Sequence, residues 1–228
     1  MTSFDWISKA ESEWDKRAAF WNQKSRSMWD NGSRKDIVPM LSNYLKPGST
    51  VLDIGCGDGY GSFKLFNEGY HVTGIDLSKE MIQLAKSRVS IGGISFRQGN
   101  VNEIPFDDNY FDAIMAINVL EWVEDPLHAL KELKRVVKPN GIICAGILGP
   151  TAGPRMNSYS RLLGEKVICN TMMPWEFKIM ASDIKLESLD GFGVYKEGVH
   201  HDHQKSLPIN LKQALTFMWV FLLRNVGE

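Results

Sequence analysis

Residues 51–61 read VLDIGCGDGYG, an apolar run that stops in glycines at 55, 57, 59 and 61. This is the pattern of a short buried strand feeding a tight turn, because glycine enters left-handed backbone conformations at little steric cost. A turn at the C-terminal end of a buried strand is also where open α/β sheets bind ligands. The chain downstream supplies such a sheet: HVTGIDL at 71–77, ISFRQGN at 94–100, FDAIMAINVL at 111–120 and GIICAGIL at 141–148 read as further strands. Between them, SKEMIQLAKSRV sets Met81, Ala85 and Val89 on one helical face behind Ser78 as N-cap. Asp125-Pro126 opens another helix, with Leu127, Leu130 and Leu133 inward and Lys131, Lys134, Arg135 and Lys138 on the solvated face, and KPNG at 138–141 ends it. Strands alternating with helices imply parallel pairing through right-handed crossovers.

The flanks break this rhythm. Trp14, Ala18 and Trp21 recur at helical spacing, so residues 1–46 are expected to form a helical cap. Residues 149–173 lack periodicity and are long for a loop, which suggests an inserted lid over a substrate site. A helix over 174–184 and strands over 185–195 and 216–225 complete the expectation. It is a single domain over 1–228 with a doubly wound, mostly parallel seven-stranded sheet, Rossmann-like, with an antiparallel C-terminal strand.

Composition narrows the partners. The 26 Lys+Arg nearly cancel 27 Asp+Glu, leaving no bulk positive field for nucleic acid or an anionic membrane. The longest apolar run, 215–223, is about half of a membrane span. Three cysteines without CxxC spacing and no basic-apolar leader fit a cytoplasmic protein, monomeric or homodimeric, with no metal.

The loop chemistry points to one kind of ligand. A dinucleotide fingerprint needs glycines at relative positions 1, 3 and 6, and from Gly55 or Gly57 the last falls on Tyr60 or Ser62. Asp53 and Asp58 would set carboxylates against a pyrophosphate. Asp76, 21 residues after Gly55 at the end of the second strand, is placed to accept hydrogen bonds from a ribose. A nucleoside with a cationic appendage satisfies all of this, and S-adenosylmethionine is one.

The ordered segments VLDIGCGDGYG, VTGIDLS, GNVNEIPFDDNYFDAIMAINVLEW and LKRVVKPNGIICA resemble the motifs of class I S-adenosylmethionine-dependent methyltransferases, in the ubiquinone/menaquinone-biosynthesis-like (type 11) group. The resemblance covers 50–148. It implies that Asp53, Gly55, Cys56 and Gly57 meet the amino acid moiety, that Asp76 and Leu77 hold the ribose side, that Asn100 and Val101 border the adenine, and that Asn118 faces the methionine end. It also implies methyl transfer to a small-molecule acceptor, and the aromatic and methionine-rich flanks favour an apolar or aromatic one. Asn100 stands where the family usually has Asp, and Glu121 and Trp122 stand where many relatives show histidine. No Asn-Pro-Pro-aromatic motif or Pro-Cys pair suggests a macromolecular substrate.

Alternatives remain open at this level: an S-adenosylmethionine sensor without turnover, or a nicotinamide-dependent dehydrogenase, which the glycine register opposes. Trp14, Trp21 and Trp29 read as core anchors or cavity walls, and Arg34 as a surface arginine or a partner for the cofactor carboxylate. His128 reads as a surface residue, and Glu121, Tyr159 and Tyr195 as possible acid-base groups. His200, His201, Asp202 and His203 are too consecutive to converge on a metal.

Overall fold

The computed structural model describes residues 4–88, 93–199 and 204–227. Seven strands, β1 (Thr50–Ile54), β2 (His71–Asp76), β3 (Ile94–Gln98), β4 (Phe111–Ile117), β5 (Val137–Leu148), β6 (Leu186–Tyr195) and β7 (Thr216–Asn225), form one sheet in the order β3-β2-β1-β4-β5-β7-β6. Pairing is parallel from β3 to β5, and β7 runs antiparallel between β5 and β6. The apolar run at 216–225 is thus the antiparallel strand that the sequence suggests.

Helices cover both faces. α5 (Pro126–Val136) and α6 (Pro174–Asp183) pack Leu130, Leu133 and Phe177 onto one core. α1 (Trp6–Asp30), α2 (Ile37–Ser42) and α3 (Tyr60–Asn67) set Trp29, Ile37, Leu41 and Leu65 into the other. α4 (Lys79–Arg88) lays Ile82 and Ala85 on Phe96 of β3, and α7 (Ile209–Ala214) precedes β7. Ser78 caps α4 by accepting the Met81 N–H at 3.1 Å, and Asp125 caps α5 by accepting the His128 N–H at 2.9 Å. Among the described residues no helix is long and apolar enough to cross a membrane.

Four details depart from the sequence reading. β4 stops at Ile117, because Asn118 turns left-handed at φ 59° and Leu120–Trp122 winds into a 3₁₀ turn. Leu127 is exposed: the buried face of α5 is Ala129, Leu130, Leu133 and Val136, and the 3.6-residue period puts Leu127 beyond its edge. β5 begins at Val137, ahead of the KPNG turn, and absorbs it as a register shift opposite Phe111–Ala113 with Asn140 at φ 63°. Within the aperiodic segment, Gly153–Leu163 forms a 3₁₀ helix with no buried residue. Arg155 fastens that segment by donating to the carbonyls of Leu148, Gly149, Thr171 and Met172.

α1 is a 25-residue helix that buries few apolar side chains, Ala10, Ala18 and Trp29 among them, with Ser25 a buried polar one. Polar contacts hold it instead. Asp15 accepts from the Ser78 hydroxyl at 2.5 Å, Ser25 donates to Asp58 at 2.7 Å, and Trp6 Nε1 donates to the Trp122 carbonyl at 2.7 Å. Gly61 explains why this helix can lie so close: a Cβ there would sit 2.5 Å from the Trp29 ring. Gly61→Ala should therefore cost about 1–3 kcal/mol of stability through overpacking. Gly153→Ala, which meets open space, is the control in urea unfolding and should be close to neutral.

Candidate functional site

The β1–α3 turn holds three alternate glycines in left-handed conformations, Gly55 at φ 68°, Gly57 at 55° and Gly59 at 78°. A Cβ at Gly55 would strike Val119 at 2.3 Å, whereas at Gly57 the nearest atom is Met81 Sδ at 3.9 Å. The turn is packed on one side and open on the other. A cavity lies on the open side, at the C-terminal ends of β1, β2 and β4, roofed by Ala10, Trp14, Trp21, Ser25, Met28 and Trp29 of α1.

Gly55, Cys56, Gly57, Asp76, Leu77, Asn100, Val101 and Asn118 all line this cavity; Asp53 does not. The Asp53 carboxylate is buried behind the turn, accepting from the Ser62 hydroxyl at 2.6 Å. Burial pushes its pKa up to about 7, against the pull of Ser62 and Arg34. Asp76 faces the cavity while tying the site together: one oxygen accepts the Gly57 N–H at 2.8 Å and the other the Ser78 N–H at 2.9 Å. Burial raises its pKa to about 6, and those two bonds oppose the rise. Cys56 is buried, and burial holds its thiol well above the usual range, so it is an uncharged wall.

Two charges behave differently from the sequence reading. Asp58 reaches the cavity wall, but its carboxylate is ion-paired with Arg88 and accepts from Ser25, so it offers a ligand no unmatched charge. Arg34 is a cavity residue rather than a surface one. Its guanidinium lies 5.5 Å from the Trp29 ring centroid and donates to Asn118 Oδ1 at 3.4 Å. Burial lowers its pKa, and Asp53, Asp58 and Glu121 offset part of that. Nothing in the polar run SRKD separates Arg34 from its solvated neighbour Lys35; the turn between α1 and α2 does.

The Asn100 amide is already employed, since its Oδ1 accepts the Asn102 N–H at 3.0 Å, leaving one lone pair and the NH₂. Trp21 Nε1 is a buried donor without a partner in the cavity roof. Glu121 is completely buried outside the lining, accepting the Leu148 N–H through Oε1 while Oε2 has no partner among the described residues, and burial raises its pKa. Tyr159 is exposed on the 3₁₀ helix, and Tyr195 lines a separate shallow cleft with Phe192 and Phe217. His128 is exposed. The cluster at 200–203 lies outside the described residues.

These donors and acceptors suit an adenosyl amino acid. Asp76 keeps lone pairs for ribose hydroxyls, Gly57 leaves room for close approach, and Arg34 is a cation for a carboxylate. A pyrophosphate beside Asp76 would meet its carboxylate, whereas the cation of the lining, Arg34, lies against Asn118.

Known proteins agree. Residues 52–145 match the family model described as a methyltransferase domain. The chain is 32% identical over 146 residues to a ubiquinone biosynthesis O-methyltransferase of Haemophilus ducreyi, covering 57% of this chain and 62% of that protein. It is 36% identical over 125 residues to a demethylmenaquinone methyltransferase of Bacillus cereus, covering 52% of each. The chain therefore spans between half and two thirds of the length of these curated relatives. In fold it is similar to a chain from the complex between the Haloferax volcanii Trm112 methyltransferase activator and a methyltransferase, with TM-score 0.76 and 19% identity over 96% of this chain and 98% of that one. The fold is the Rossmann-like fold of methyltransferases, and the methyltransferase-domain match lies within it at residues 52–145. Over the matched stretch the chain is similar to quinone-biosynthesis methyltransferases.

The Asp53 site yields a stability prediction. A carboxyl whose pKa rises from 3.8 to about 7 on folding binds more protons folded than unfolded, so its contribution falls as pH rises from about 4 to 7 and is constant above. Asp53→Asn keeps an acceptor for Ser62 and has no proton to lose. Its stability relative to wild type should climb across that window in chemical denaturation; a pH-independent difference would contradict this.

Proposed function

We propose that the chain transfers a methyl group from S-adenosylmethionine to a small-molecule acceptor with an apolar or aromatic body. The observation that carries the reading is Asp76: a carboxylate on the cavity wall, both oxygens fixed by backbone N–H groups, beside a glycine turn that is open to a ligand. Bound S-adenosylmethionine supplies a methyl group already activated on a sulfonium, so the protein has to bind, align and keep water out.

In this reading Asp76 accepts the ribose hydroxyls, and Leu77, Asn100 and Val101 enclose the adenine. The backbone of Gly55–Gly57 passes along the amino acid moiety, where Arg34 pairs with its carboxylate and Asn118 holds Arg34 in place. Asp53 acts from behind the turn rather than by contact. Residues 1–46 serve as a cap and 149–173, anchored by Arg155, as a lid over the acceptor. Alignment of this kind accounts for roughly 7–11 kcal/mol of barrier in favourable cases, without a protein nucleophile.

Calorimetry tests the assignment without knowledge of the acceptor. S-adenosylmethionine and S-adenosylhomocysteine should bind and NAD should not, and Asp76→Ala should weaken both adenosyl ligands by about 1.5–3 kcal/mol, roughly 10- to 150-fold. Because the ionised carboxylate is the better acceptor, affinity should fall as pH drops through about 6, the pKa of Asp76 in the free protein. Arg34→Gln should weaken S-adenosylhomocysteine but leave adenosine, which has no carboxylate, almost unchanged. Release of S-adenosylhomocysteine in the presence of an acceptor separates an enzyme from a sensor; binding of NAD in preference to both adenosyl ligands would end the reading.

A further inference from the structure

An orphaned donor in the cavity roof bears on how the cofactor is gripped, an inference that rests on the methyltransferase reading. Of the buried side-chain nitrogens and oxygens that lack a partner among the described residues, those of Ser42, Asn102, Glu121 and Gln213 belong to residues outside the cavity lining. Trp21 Nε1 belongs to a residue of the lining. An indole N–H can only donate, and a buried donor costs free energy until an acceptor reaches it. The ring itself is held from the side, since Phe20 meets it edge to face with centroids 5.3 Å apart.

The attachments of α1 on either side of Trp21 locate this donor along the cavity. Before it, Asp15 accepts from the Ser78 hydroxyl, just beyond the end of β2; after it, Ser25 donates to Asp58, next to Gly57. Between these two attachments lies the joint where the Gly57 N–H meets the Asp76 carboxylate at 2.8 Å. The ends of the cavity lie further along the helix in opposite directions. Trp14 touches Trp122 at one end and Trp29 lies under Arg34 at the other, and at 1.5 Å per residue they are about 10 and 12 Å of helix axis from Trp21. Arg34 is the donor for the cofactor carboxylate, whereas Asp76 is an acceptor. A ribose hydroxyl that donates to Asp76 keeps its own lone pairs, and these call for a donor from the opposite side. We propose that Trp21 Nε1 donates to a ribose hydroxyl oxygen of S-adenosylmethionine, so that the diol is held between an acceptor on the sheet and a donor on the roofing helix. The bound cofactor then ties α1 to the end of β2 across the same joint that Asp15 and Ser25 bracket.

The test is calorimetric binding of S-adenosylhomocysteine, adenosine, 2′-deoxyadenosine and 3′-deoxyadenosine, with displacement of S-adenosylhomocysteine reading the weaker nucleosides. Trp21→Phe keeps an aromatic ring and loses only the donor, and it should weaken S-adenosylhomocysteine and adenosine alike, by roughly 3- to 10-fold. The loss should persist with one deoxyadenosine and vanish with the other, the one that lacks the oxygen Trp21 serves. Trp21→Met, whose flexible side chain fills space without a donor, is the second variant and should behave in the same way; thermal unfolding checks that each is folded. Equal weakening of every ligand is the mark of a merely structural role and would overturn the proposal. Weakening of S-adenosylhomocysteine alone would place the donor at the amino acid end, and no weakening at all would leave it without a ligand; either result overturns the ribose assignment. Failure of S-adenosylhomocysteine and adenosine to bind wild type would instead strike the methyltransferase reading itself.

Discussion

The site depends on a backbone constraint: Gly55, Gly57 and Gly59 must all be left-handed for β1 to turn into α3 within so few residues. A side chain at the first or third position would collide with Val119 or Phe96, so the turn fixes the spacing between β1, the β4 end and β3 at once. Asp76 then locks the turn against β2 through the Gly57 N–H. The cavity is what remains on the open side of this joint, and its shape follows from the joint rather than from the roofing helix.

Around that joint the protein keeps several acidic groups out of water, each by a different device. Asp58 has a full counter-charge in Arg88. Asp53 has a hydroxyl and a more distant arginine, and burial still raises its pKa to about 7. Glu121 has one backbone donor for two oxygens. Such burial costs stability unless it is compensated, and the cost is concentrated where β1 and β4 border the cavity. Arg34 is the complement, a buried cation whose opposing charges are spread over three carboxyl groups.

Much of the architecture was legible because each element announces itself locally. β1, β2 and β7 are apolar runs bounded by turn residues, and Ser78 and Asp125-Pro126 mark helix starts by side-chain chemistry that works in isolation. That most of the expected site residues line one cavity was legible for a related reason: they sit at strand ends, and strand order fixes where those ends gather. What the sequence hides are pairings made across the fold. Asp58 finds Arg88 30 residues on, and Arg34 reaches Asn118 across 84; neither pair leaves a periodic trace. Leu127 misleads because it shares the leucine spacing of Leu130 yet lies beyond the edge of the buried face, and the end of β4 was misplaced because Asn at 118 tolerates a left-handed turn that the apolar residues after it conceal.

The position of β7 has a consequence for how the chain reaches this state. β6 pairs only with β7, and β7 separates it from β5. During synthesis β5 and β6 both emerge before the strand that lies between them, so each waits with an unpaired edge. The sheet closes by insertion of its latest strand into an interior slot, and a ribosome-bound chain lacking residues 216–225 would leave the outer edge of β5 bare and β6 without a partner.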